Sequence, residues 1–161
     1  MQGLFIHRFD VPESAIDFNR HVNNLEYLRW MQEVATDHST ARGWSLDRYV
    51  QTRCSWVIRS HHIEYLRPSF AGEELLLATW IADMSEQTSL RRYLFLREAD
   101  RQVVAHAETL WVFVNGRTGR PWNIPPALRE AFTVIEDEAQ ILAWLQDKSN
   151  PVTQSVSGRT S

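Results

Sequence analysis

The chain has 161 residues, 43% of them hydrophobic, and a formal net charge of −3. That length fits one domain with a core of its own, and a mildly acidic balance without a basic stripe argues against a nucleic-acid binder. The single cysteine, Cys54, allows no intrachain disulfide and no thiolate metal site of its own, which makes a reducing, cytoplasmic compartment the expected home.

The first residues, Met1 to Arg8, lack the basic start and apolar stretch of a signal peptide. No apolar run approaches the ~20 residues needed to span a bilayer, so a soluble protein is expected. Phe5, His7, Phe9 and Val11 recur with period two and predict a first strand over 4–11. Residues 12–23 are polar and irregular, contain Pro12, and read as a loop. Residues 24–42 read as a helix. Asn24 is the expected N-cap, and Glu26 suits the positive end of the dipole. Leu28, Met31, Ala35 and His38 fall at helical spacing, flanked by Tyr27, Trp30 and Val34, and Gly43 supplies a stop.

Four strand-like runs follow, over 53–66, 74–84, 88–98 and 102–115. Their short polar connections suit antiparallel neighbours, because a parallel crossover needs about a dozen residues or more. Two short helices, over 126–132 and 136–147, close a domain predicted to span 1–147. Residues 148–161 are rich in Ser, Thr, Asn and Pro and predict a mobile tail. The seven tryptophans read as core and interface packing. The order of elements is that of an α+β domain: a five-stranded antiparallel sheet covered by one long helix, with short C-terminal helices. One helix leaves part of such a sheet unburied, so a homodimer or a homotetramer built as a pair of dimers is expected.

Asp17, Asn19 and His21 alternate ahead of the long helix, and alternation along an extended loop would put them on one side of the backbone. The helix N-terminus beside them offers unpaired N–H groups to developing negative charge. Thioester hydrolysis needs a base or nucleophile and donors for a tetrahedral oxyanion. The segment could supply both. Equally, it reads as a polar loop whose side chains satisfy backbone groups.

The stretch from Asp17 to Trp30, with Asp17, Asn19, His21, Val22, Asn23 and Asn24 at its head, resembles the hot-dog acyl thioesterases. It is similar to the 4-hydroxybenzoyl-CoA thioesterase-like group, which includes bacterial long-chain acyl-CoA thioesterases, and to the plant acyl-ACP thioesterases. Glu64-Tyr65-Leu66-Arg67-Pro68 with Gly72, and Trp111 through Pro125, extend the likeness over about residues 5–135. The resemblance implies a hot-dog fold whose sheet wraps the central helix. It implies hydrolysis of an acyl-CoA, or an acyl-ACP, with coenzyme A as part of the substrate and no cofactor or metal. Asp17 matches the family's catalytic aspartate, as base or nucleophile. Asn19 and His21 match its positioning residues, and the backbone N–H of Asn24 its oxyanion donor. The acyl chain would enter an apolar tunnel between helix and sheet.

Glu33 corresponds to a helix carboxylate used by another hot-dog branch, but it shares a stripe with Arg29 and Asp37 and reads first as a salt-bridged face. Arg91, Arg92, Arg117 and Arg120 are candidates for the phosphates of coenzyme A. His61 and His62 should point to opposite faces of a strand, and with His38 they form no metal-binding spacing. Cys54 reads as a small buried hydrophobe. Two other functions fit the resemblance. One is an enoyl-thioester hydratase or dehydratase, whose Asp and His would stand five apart with a proline between. The other is a non-catalytic acyl-thioester binding module.

Overall fold

A computed structural model describes residues 1–156. Five strands form one antiparallel sheet: β1 (Phe5–Asp10), β2 (Cys54–Tyr65), β3 (Glu74–Met84), β4 (Thr88–Arg97) and β5 (Val103–Asn115). Their order across the sheet is β1-β3-β4-β5-β2. The helices are α1 (Asn24–Ala41), α2 (Leu46–Gln51), α3 (Pro126–Glu130) and α4 (Glu138–Gln146). All the expected elements are present, and α2 is an addition. Among the described residues, no helix is long and apolar enough to cross a membrane.

The 18-residue α1 buries Tyr27, Trp30, Met31, Val34, Ala35 and His38 against the concave face. There Leu75, Leu77, Tyr93, Phe95 and Ala105 meet it from β3, β4 and β5. The N-cap is Asn23 rather than Asn24: its side chain accepts the N–H of Leu25 at 2.9 Å. A residue one position earlier has the extended backbone a cap requires. At the other end the N–H of Gly43 reaches Thr40 O and that of Trp44 reaches Ser39 O. This paired closure needs the left-handed backbone that Gly43 adopts at φ +90°.

The opposite face of the sheet is also covered in part. Ile141 and Leu145 of α4 pack on Ile6, Trp80, Leu94 and Leu96. The segment from 148 to 156, part of the tail expected to be mobile, makes contacts with them. Val152 is 3% exposed in this second core, and Ser155 bonds both the N–H and the C=O of Ile6. Gln154 accepts the N–H of Arg8. Edge β1 is thereby given partners for donors that an edge strand leaves open. Residues 157–161, the rest of that predicted tail, lie outside the described residues.

The link between β2 and β3 corrects a second expectation. These strands are not neighbours, and residues 66–73 cross the end of the sheet past β5 and β4. Eight residues can reach up to about 27 Å, while three strand spacings need only about 14 Å. This strap carries buried Ser69, and it braces the candidate site. At the other margin β2 is an open edge, with Val57 and Tyr65 exposed.

Candidate active site

The segment before α1 is a tight hairpin rather than an extended loop. Ile16 bridges Val22, the N–H of Asp17 reaches His21 O at 3.1 Å, and the N–H of Arg20 reaches Asp17 O at 2.9 Å. Arg20 turns the chain with φ at +65°. The Asp17 carboxylate accepts the N–H of Asn19 at 2.9 Å. Asp17 and His21 are thus juxtaposed by antiparallel pairing across a turn, and Asn19 sits at its tip. Pairing across this turn, not the alternation expected along an extended loop, brings Asp17 and His21 together. Asp17 and His21 are half-buried, while Phe18, Asn19 and Arg20 are exposed.

Two braces fix this hairpin on the fold. The N–H of Val22 donates to Ser69 O at 2.8 Å, and that of Asn23 to Ala15 O at 2.9 Å. Beneath it the Tyr27 hydroxyl donates to Ser69 Oγ at 3.0 Å, and burial raises the phenol's pKa, so it stays a neutral donor. Tyr65, at the end of β2, bonds the carbonyl of Asn24 at 3.2 Å. The N–H of Asn24 donates to no group among the described residues. It is one of the first-turn donors that a helix leaves open. A half-buried carboxylate and imidazole thus sit on the hairpin that leads directly into α1, whose first turn holds the unpaired Asn24 N–H.

The remaining candidates lie elsewhere. Glu33 is exposed on α1 and pairs with Arg29 at 3.5 Å; Arg29 also bonds Glu26. Arg92 is held by Glu108 and Glu138 at 3.4 Å each. Arg91 is not at the surface at all: next to Arg92 on the strand, it points to the opposite face and is 5% exposed under α1. Strand alternation allows only one of such a pair to meet solvent, so Arg91 is no ligand for phosphates outside. Arg117 and Arg120 are exposed in the turn after β5. His61 bonds Thr109 Oγ1 at 2.7 Å, whereas His62 and His106 bond Glu64. Cys54 is buried.

Between α1 and the sheet, where the resemblance implied an apolar tunnel, lies a cavity lined in part by Ala35 and Ser39 of α1 and by Tyr49 and Trp56. It is formed partly by α2, whose N-cap Ser45 accepts the N–H of Arg48. Ser45 followed by Asp47 was the signal available for that helix.

The chain matches the Thioesterase-like superfamily over residues 11–132 and belongs to it. It is 23% identical over 160 residues to the chloroplastic acyl-[acyl-carrier-protein] hydrolase FATB2 of Cuphea viscosissima, covering 91% of this chain and 39% of that one. It thus spans about two fifths of this plant relative. It is 24% identical over 118 residues to the long-chain acyl-CoA thioesterase FadM of Escherichia coli (strain K12), covering 71% of this chain and 86% of FadM. A Staphylococcus aureus protein solved in complex with CoA shares the fold with a TM-score of 0.77 at 20% identity, covering 81% of this chain and 82% of its own. The fold is therefore the hot-dog fold that the resemblance implied, in a superfamily of acyl-thioester hydrolases.

Proposed function

We propose that the protein hydrolyses an acyl-CoA to the free acid and thiol. The observation that carries this reading is the half-buried Asp17 carboxylate on a braced hairpin that runs directly into the helix bearing the open N–H of Asn24. In this scheme the thioester oxygen accepts from the Asn24 N–H at the positive end of α1. Asp17 either takes a proton from an attacking water or attacks the carbonyl carbon itself. In the first course water adds, the tetrahedral intermediate collapses, and the thiolate leaves and is protonated. In the second the carboxylate displaces the thiolate, which leaves and is protonated as a mixed anhydride forms, and water then cleaves the anhydride to the free acid and the regenerated carboxylate. His21 orients the reacting groups across the hairpin. Similarity to FadM and to a CoA-bound structure supports CoA as carrier. The plant relatives named for acyl carrier protein support acyl-ACP as a second reading.

A dimer through β2 completes the site in this proposal. The strand has 12 residues and an open edge, which is a ready template for another strand. Two-fold pairing runs β2 antiparallel to its copy, so the start of one meets the end of the other. The end carries Tyr65, bonded to Asn24. The start carries Ser55 and Trp56, which line the cavity. Pairing brings the cavity of one protomer to the hairpin of its partner. The turn with Arg117 and Arg120 lies at the same end, its Gly116 N–H bonded to Arg53 O, within reach of the carrier's phosphates in such a dimer.

The test is thiol release from acyl-CoAs of short to long chain and one aryl-CoA. Asp17→Asn should lower turnover by about 10²–10⁴-fold, the range for a positioned acid or base. Near-normal turnover in a folded Asp17→Asn protein removes the mechanism. Release from acyl-ACP alone would select the second reading.

A further inference from the structure

Between the C-terminal half of α1 and the concave face of the sheet lies a cavity of about 190 Å³. Trp44, Leu46, Ile81, Met84 and Phe132 form its apolar walls, and it opens beside exposed Leu46 and Ser55. A cavity of about 150 Å³ is enough to hold benzene, so this one accepts a ring or a short alkyl chain.

Its polar content is what distinguishes it. Arg91 lies on the wall and is 5% exposed. A guanidinium remains charged inside a protein. Both hydrogens on Nη1 are used, on His38 Nδ1 at 2.9 Å and Thr79 Oγ1 at 3.1 Å. Both acceptors are neutral. Among the described residues no carboxylate pairs with Arg91, and its other N–H groups, on Nε and Nη2, have no partner. Ser89 stands two residues away on the same face of β4 and also lines the cavity; its buried Oγ has no hydrogen-bond partner. A buried cation without a counter-charge is strongly unfavourable, and buried hydroxyls are almost always bonded.

We propose that this cavity is a binding site for a small amphipathic carboxylate, whose oxygens accept from Arg91 and Ser89 while its apolar body lies against Trp44 and Phe132. The planar fork of an arginine suits a carboxylate in two-point contact, and the anion supplies the charge that the protein withholds. The carboxylate could belong to a free acid or to the far end of an acyl group. The site stands on the cavity alone and needs no hydrolytic step.

Calorimetric titration of the full chain with benzoate and hexanoate, and with benzamide and hexanamide as neutral matches, tests it. The acids should bind at least about ten-fold tighter than the amides, as expected where a charged acceptor meets a buried guanidinium. Arg91→Met should abolish that preference, and Ser89→Ala should weaken the acids several-fold. Equal binding of acids and amides, no binding by either, or an unchanged preference in Arg91→Met would overturn the proposal. The comparison of acid with amide needs no variant, so a misfolded Arg91→Met protein does not blunt it. Displacement of bound benzoate then identifies the source. Adipoyl-CoA displacing it far better than hexanoyl-CoA assigns the carboxylate to an acyl terminus. Equal displacement assigns it to a free acid. Both readouts are binding, so they are unaffected if Asp17 proves not to be catalytic.

Discussion

Arg91 Nη1 donates to His38 Nδ1 across 2.9 Å beneath α1, an imidazole held as a neutral acceptor for a buried cation. The His38 ring is stacked on Phe5 and edged by Phe132, which keeps water from it. Burial, then the charges of Arg91 and Arg42, depress its pKa from 6.5 to about 2.

That depression sets a pH dependence of stability. The unfolded chain takes up the His38 proton below about pH 6.5 and the folded chain does not. Stability from this group is therefore present above 6.5 and is lost as pH falls toward the folded value of about 2. The loss reaches at most about 1.4 kcal/mol per pH unit. Asp100, held low chiefly by Arg97, adds its own loss only at more acidic pH. Urea unfolding between about pH 7 and 5 should show the slope in the native protein and a shallower one in His38→Gln, with His61, also depressed by burial, supplying part of the remainder. Equal slopes would place the proton elsewhere.

The two asparagines at the head of α1 should separate cleanly. Asn23 caps Leu25, whereas the Asn24 side chain makes no hydrogen bond among the described residues. Asn23→Ala should cost about 1 kcal/mol, the usual loss for a cap. Asn24→Ala should cost little and leave the backbone donor in place. Denaturant midpoints of the two variants decide the matter. The reverse ranking would return the cap to Asn24.

Periodicity made the frame legible. Phe5, Phe9 and Val11 do face the α1 core, and the α1 stripe from Tyr27 to His38 is buried. Strand order was less legible. Local spacing carries no record of which edge a link returns to, so residues 66–73 looked like a hairpin and are a crossover. The fate of Arg91 was hidden for a related reason. Adjacent arginines look alike in sequence, but β4 has one face on Glu108 and Glu138 and the other under α1. At the candidate site, the motif from Asp17 to Asn24 picked out a segment that folds as one braced hairpin ahead of α1. Its geometry depends on a positive φ at Arg20 and on Ser69, some fifty residues away, which no local pattern encodes.

The docked C-terminal segment yields the last prediction. Val152 is buried on the outer core, and Gln154 and Ser155 occupy the free N–H groups of Arg8 and Ile6. Arg8 also donates to Val152 O at 3.1 Å while it pairs with Glu74. Truncation after Asn150 removes all of this at once. Burial of a valine side chain contributes about 1.5–3 kcal/mol, so the shortened chain should lose at least that much and unfold at a lower midpoint. It should also aggregate more readily, because β1 would present an unpaired edge. Val152→Ser isolates the apolar part: it should lower the midpoint while keeping the backbone-side contacts and the resistance to aggregation. A truncated chain with native stability and no added aggregation would mean that this segment contributes nothing to the fold, and that β1 is protected by its twist and by Arg8 alone.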